Sequence, residues 1–147
     1  MIKIALGSDH AGYLLKEKVK KYLVELELEF KDYGTFKLDS CDYPEYAYKV
    51  GQAVVSGEAD LGILVCGTGI GMSITVNKIK GIRGALANDI ETAQLSRLHN
   101  NANVLCLGGR ILKEDEAKEV VKIWINTSFE GGRHQKRLNL ITQLTGL

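Results

Sequence analysis

Leu61-Gly62-Ile63-Leu64-Val65-Cys66-Gly67-Thr68-Gly69-Ile70-Gly71-Met72-Ser73 is the stretch from which the fold can be read. Its opening run, Leu61–Cys66, is apolar without interruption, the pattern of a strand covered on both faces. Glycines at 67, 69 and 71 then make a turn that opens a helix. Glycine lets backbone come close to a ligand, and a helix N-terminus offers unpaired N–H groups to an anion. The same field favours a thiolate on a nearby cysteine. The stretch therefore reads either as an oxyanion cradle beside a base or as a tight turn closing over an inert, buried Cys66.

Outward from this unit, four more apolar runs read as strands: Ile2–Leu6, Leu28–Tyr33, Ile82–Ala87 and Val104–Leu107. Between them lie stripes of helical period: Leu14, Leu15, Val19, Tyr22, Leu23 and Leu26; Tyr46, Val50, Ala53 and Val54; Ala117, Val120, Val121, Trp124 and Ile125. Strand and helix alternate along the whole chain, the order of an α/β fold with a parallel sheet and helices on both faces. No repeat, low-complexity tract or linker interrupts it, so residues 1–147 read as one domain. The only proline, Pro44, sits in a turn before the second helix. A last helix, about Arg133 to Leu144, follows Gly131-Gly132 with no strand after it, and is expected to pack across a neighbouring subunit.

Composition narrows the function classes. A net charge of +1 gives no basic field for holding a nucleic-acid backbone. No segment reaches the length of a membrane span, and the N-terminus lacks signal-peptide architecture. The cysteines, 41, 66 and 106, are odd in number, far apart and without a CxxC. A reducing, cytoplasmic setting is expected rather than a disulfide framework.

In such folds ligands sit at the carboxyl ends of the strands. Attention goes first to Gly7–Gly12, Asp39–Pro44, Cys66–Gly71, Asn88-Asp89 and Gly108–Arg110. The loop after Cys66 is neither G-x-x-x-x-G-K-[ST] nor G-x-G-x-x-G, because Met72 stands where the third glycine belongs. Met72 also occupies the place of the arginine that a cysteine phosphatase requires. In Gly7-Ser8-Asp9-His10-Ala11-Gly12, Ser8 or Asp9 suits a helix cap, whereas His10 beside a helix N-terminus calls for a bound anion. In His99-Asn100-Asn101-Ala102-Asn103 the asparagines suit helix-end duties, and His99 reads equally as cap or catalyst. Arg133 and Arg137 share a helix face, an arrangement that tolerates its repulsion if an anion lies between them; otherwise it is a solvated basic helix start. The histidines and cysteines show no metal-ligand spacing, so no metal is expected and activity should not respond to chelator.

Taken together, Ser8-Asp9-His10-Ala11-Gly12, Asp42-Tyr43-Pro44, Cys66-Gly67-Thr68-Gly69-Ile70-Gly71, His99-Asn100 and Gly108-Gly109-Arg110 resemble the type B ribose-5-phosphate isomerase family, in the family's order and over nearly the whole chain. The family also contains galactose-6-phosphate and allose-6-phosphate isomerases. The resemblance implies a Rossmann-like three-layer α/β/α sandwich with a five-stranded parallel sheet, and a homodimer or dimer of dimers with shared active sites. It implies cofactor-free interconversion of ribose 5-phosphate and ribulose 5-phosphate. Cys66 would be the base moving a proton between C2 and C1. Thr68 and the N–H groups of Gly67, Thr68, Gly69, Ile70 and Gly71 would stabilise the enediolate. His99 would donate a proton in ring opening, with Asp9 helping; Asn100 and Arg110 would contact the sugar; His10, Arg133 and Arg137 would hold the phosphate. Some members use a carboxylate further along the loop as base; Met72-Ser73-Ile74-Thr75 carries none. The competing readings are a six-carbon sugar-phosphate isomerase, a non-catalytic sugar-phosphate or nucleotide-binding module, and a redox sensor at Cys66, the last disfavoured by the lack of a nearby resolving cysteine.

Overall fold

The apolar run at 61–66 becomes the middle strand of a five-stranded, all-parallel sheet in a computed structural model that describes residues Met1–Leu147. The strands are β1 (Lys3–Ser8), β2 (Glu29–Asp32), β3 (Leu61–Cys66), β4 (Gly84–Leu86) and β5 (Val104–Gly108), in the order β2-β1-β3-β5-β4. The helices are α1 (Tyr13–Glu25), α2 (Tyr43–Val55), α3 (Ile70–Val76), α4 (Ile90–Leu98), α5 (Glu114–Asn126) and α6 (Arg133–Thr145).

The sheet is covered on both sides, which is why its central strands show no alternation in sequence. Ile4, Leu6, Ile63, Val65, Leu105 and Leu107 face Leu15, Val19 and Leu23 of α1, Ala93 of α4 and Val120, Val121 and Trp124 of α5. Ala5, Leu64, Cys66 and Cys106 face Ala47, Val50 and Ala53 of α2 and Met72 and Val76 of α3. This is the α/β/α sandwich expected. The edge strands β2 and β4 are shorter than their apolar runs, while β1 extends two residues past Leu6 to Ser8.

Register decides where a site can form. Val65 pairs with Ser8 and Cys66 with Gly108, so the central strands β1, β3 and β5 end level at one edge of the sheet. At the other edge Gly62 pairs with Val104 and its N–H reaches the carbonyl of Asn103 at 2.9 Å.

The stripe on α1 differs from the one expected. Leu14 is exposed, and Lys16 is completely buried. A lysine is tolerated there because its ammonium is fully engaged. It donates to both oxygens of Asp32 at 2.8 Å and to the carbonyl of Thr35 at 2.6 Å. The rings of Tyr13 and Phe36 lie 5.5 and 5.0 Å from it. This pair ties α1 to the end of β2 and to the loop beyond. That loop extends the sheet pairing, with Ser8 N–H bonded to the Gly34 carbonyl and Thr35 N–H to the Ser8 carbonyl, each at 2.7 Å. Lys16→Ala would leave Asp32 only the Lys20 ammonium at 3.2 Å and the Gly34 N–H at 2.9 Å, and should cost about 3 kcal/mol of stability. Equilibrium urea unfolding with an unchanged m-value is the check; a loss below about 1 kcal/mol would mean that water replaces the ammonium.

Candidate active site

The carboxyl edge of the sheet gathers three loops. After β1, Asp9 donates its N–H to the Val65 carbonyl at 3.2 Å and accepts the Gly12 N–H on Oδ1 at 2.9 Å. Asp9 thus closes the turn over residues 9–12 rather than capping α1, whose N-cap is Gly12, and it is buried beside the end of β3. Gly12 is required: a Cβ there would collide with the Val65 carbonyl. His10 stays partly exposed and turns Nδ1 toward both the N–H and the carbonyl of Cys41, each at 3.2 Å. Its Nε2 makes no hydrogen bond within the chain.

After β3, Cys66 is 4% exposed, and its sulfur accepts the Gly69 N–H at 3.2 Å. Gly69 holds φ +85°, a left-handed conformation that suits glycine and folds the loop back onto the sulfur. Thr68 Oγ1 accepts the Ile70 N–H at 3.2 Å, at the start of α3. After β5, Gly109 N–H bonds the Cys66 carbonyl at 2.7 Å and Arg110 N–H the Gly67 carbonyl at 3.0 Å. The Arg110 side chain lies over Gly67, with Nη1 3.5 Å from where a Cβ would stand. Asp9, His10, Cys66, Gly67, Thr68, Gly69, Ile70, Gly71 and Arg110 therefore converge on one edge. Cys106, on the same face two residues short of that edge, belongs to the core; burial pushes its thiol up, with Cys66 adding to the effect.

His99, Asn100, Arg133 and Arg137 lie elsewhere. His99 caps the carboxyl end of α4, which runs back against the strands. The residues after it enter β5 at Val104, level with Gly62. Cys66 is a further four residues along its strand, about 13 Å at 3.3 Å per residue. The stretch from His99 to Asn103 thus leads into the amino edge of the sheet, opposite the edge that carries Cys66. Asn101 and Asn103 have the structural duties anticipated: the first accepts from Arg97 at 3.2 Å, the second accepts the Arg83 N–H at 2.7 Å.

At this amino edge the His99 ring stacks on His134, centroids 4.3 Å apart and planes within 14°. His134 Nε2 lies 3.4 Å from Glu130 Oε2. Burial holds the His134 imidazole below its ordinary value, and positive charge at His99, Arg133 and Arg137 adds to this against the opposing pull of Glu130. The ligand atoms of His99, Glu130 and His134 fall within 4.8 Å of one another, a grouping that no sequence spacing disclosed. Parallel rings direct their lone pairs into two separate planes, however, and an ion between them would lie out of both. The grouping is better described as a stack with an acidic neighbour.

A family model described as Ribose/Galactose Isomerase matches residues 4–141. The chain belongs to the ribose/galactose isomerase family. It is 47% identical to ribose-5-phosphate isomerase B of Escherichia coli over 144 residues, 98% of this chain and 97% of that one. It superposes on ribose-5-phosphate isomerase B of Clostridium thermocellum with TM-score 0.97 and 44% identity, over 99% of this chain and 98% of that one. The Mycoplasma genitalium ribose-5-phosphate isomerase B, solved with bound ribulose-5-phosphate, gives TM-score 0.93 and 39% identity, over 98% of this chain and 96% of that one.

Within this ribose/galactose isomerase site the structure adds residues to which the sequence reading gave no role. Asn88, at the end of β4, clamps two loops together: it accepts the Gly108 N–H at 2.8 Å and donates to the Thr68 carbonyl at 3.1 Å. The Tyr43 ring closes over Gly71, 2.5 Å from where a Cβ would stand. His134 is the single buried residue of α6. Because folding lowers the His134 value, the unfolded chain takes up the proton first as pH falls. The stability that neutral His134 contributes is therefore present above the ordinary imidazole range and is lost through it and below. The thermal midpoint should fall from about pH 7.5 to about pH 5.5, and less steeply in His134→Phe. Equal slopes in the two proteins would assign the dependence to other groups.

Proposed function

We propose that the chain interconverts ribose 5-phosphate and ribulose 5-phosphate, in active sites shared between two copies. The observation that carries this reading is the Cys66 sulfur, seated at a strand end and met at 3.2 Å by an N–H of the loop that follows. Aldose–ketose isomerisation moves one proton between adjacent carbons through an enediolate. It calls for a base and for oxyanion stabilisation within hydrogen-bond reach of the same fragment. Cys66 serves as the base between C2 and C1. Thr68 and the N–H groups of residues 67–71 receive the developing charge on the oxygen. The internal transfer of hydrogen leaves no electrons to exchange, so no cofactor is called for. The ribulose-5-phosphate held by the Mycoplasma genitalium relative supports the five-carbon substrate.

The remaining groups complete the site from a second copy. His99 of the partner subunit protonates the ring oxygen in furanose opening, with Asp9 receiving the proton of the C1 hydroxyl. Asn100 of the partner subunit and Arg110 contact the sugar. His10 and the partner subunit's Arg133 and Arg137 hold the phosphate, whose remote grip orients the reacting carbons. Support for the sharing comes from two sets of exposed apolar side chains: Leu140, Ile141 and Leu144 on α6, and Ile70 and Ile74 on α3 beside the catalytic loop. A homodimer, or a dimer of such dimers, buries both. A base that must remain a free thiol, in a chain whose cysteines are all unpaired, suits the cytoplasm.

Cys66→Ala should lower kcat for ribose 5-phosphate about 10²–10⁴-fold while leaving substrate binding in place. Unchanged turnover would assign the base elsewhere, and an inactive wild type would turn the reading to another phosphorylated sugar. Arg137→Ala should raise KM more than it lowers kcat, since phosphate binding is shared by ground and transition states. A large fall in kcat at constant KM would contradict a binding role. Steady-state kinetics in the presence of chelator measures both.

A further inference from the structure

We propose that His134 is a positioning residue for His99, its ring serving as the platform that fixes the angle at which His99 meets the sugar. This rests on the reading of His99 as the ring-opening acid.

His99 is the C-cap of α4, its N–H bonded to the Leu95 carbonyl at 2.8 Å, and no hydrogen bond holds its ring. Its one aromatic contact is the His134 face, at 4.3 Å and 14°. The platform itself is held by its burial at the start of α6. His134 is 6% exposed, and its Nε2 lies 3.4 Å from Glu130 Oε2 without forming a hydrogen bond. Glu130 in turn bonds its N–H to the carbonyl of Leu98, the residue before His99, at 3.1 Å. The backbone at Glu130 is thereby tied to the end of α4, so the buried His134 ring is presented to His99 from a fixed chain position. Two stacked imidazolium ions would repel each other. Burial lowers the His134 pKa, which disfavours that doubly charged stack.

The same stack helps attach α6. Its only buried residue is His134, and that residue lies between Arg133 and Arg137. The arginines proposed to hold phosphate and the histidine proposed to open the sugar are therefore joined through one ring-on-ring contact. Substrate gripped at its phosphate end meets an acid whose position is referenced to the same helix. Neither the turn nor the helix pattern in sequence joins residue 99 to residue 134; the contact appears only once α4 and α6 are packed.

The test exploits a difference between the two substrates. Ribose 5-phosphate closes a furanose through O4 and C1, so its isomerisation needs ring opening. Ribulose 5-phosphate has its O5 esterified and cannot close a furanose on C2, so exchange of its C1 proton in deuterium oxide needs only the base and the oxyanion cradle. Both rates are measured on the full-length assembled protein for wild type, His134→Leu, His134→Phe and His99→Ala. His134→Leu keeps an apolar filler without a ring face; His134→Phe keeps the face. Expected for Leu is a loss of about 10–100-fold in ribose 5-phosphate turnover with C1 exchange held within about 3-fold, and for Phe near-normal values of both.

Leu and Phe variants that behave alike would reduce His134 to packing and overturn the inference. So would a Leu variant in which both rates fall together. If the Leu variant does not fold, the Phe variant decides: retained turnover supports the platform, and a selective loss of ring opening overturns it. His99→Ala separates this inference from the reading beneath it. Equal loss of both rates in His99→Ala removes His99 as ring-opening acid; a selective loss there, with a normal Leu variant, removes only the role of His134.

Discussion

The absence of a side chain at Gly12 lets the first turn of α1 lie directly against the Val65 carbonyl, and the geometry of the catalytic edge follows from that approach. Asp9 can then bond both the Val65 carbonyl and the Gly12 N–H. Ala11 can pack beside Gly67, and the loop after β5 can close over both through the N–H groups of Gly109 and Arg110. Three loops whose strands end level would otherwise splay apart as their helices diverge. Drawn together, they form a rigid frame around one sulfur, and the N–H that meets it is already in place before any substrate arrives. Preorganisation of this kind is what makes an oxyanion cradle effective, since its dipoles need not turn during the reaction.

The buried Lys16–Asp32 pair extends that frame sideways. A lysine with no exposure costs desolvation, which an apolar side chain of similar volume would avoid. What the charged pair adds is direction. It fixes the loop after β2 so that Gly34 and Thr35 continue the pairing along Ser8, one residue from Asp9. A greasy contact would hold the loop with less definition. The pair thus serves the site through geometry more than through net stability.

Much of the fold could be read along the chain because its signals are local. The buried strands announce themselves as apolar runs, and the α5 stripe from Ala117 to Ile125 is buried as its period demands. The stripe on α1 misled at two positions, Leu14 and Lys16, because period-based reading assigns lysine to solvent and cannot see an aspartate sixteen residues away that neutralises it. The carboxyl-edge residues were legible for the same reason as the strands: each follows an apolar run directly. Asn88 was among the residues to examine but had no visible role, because its partners, Thr68 and Gly108, lie twenty residues to either side. The His99–His134 stack was invisible altogether, since it joins a helix end to a later helix start.

The placement of His99 follows from topology. In a parallel sheet every covering helix returns the chain from the carboxyl edge to the amino edge, so a residue at a helix end lies away from the strand-end site of its own chain. A chain that uses both a strand-end cysteine and helix-end groups in one reaction must bring two copies together, edge to opposite edge. The proposed sharing of active sites is then a consequence of α/β geometry. It also explains why α6, which has almost no buried surface of its own, presents Leu140, Ile141 and Leu144 outward: in the dimer that face would belong to the interior.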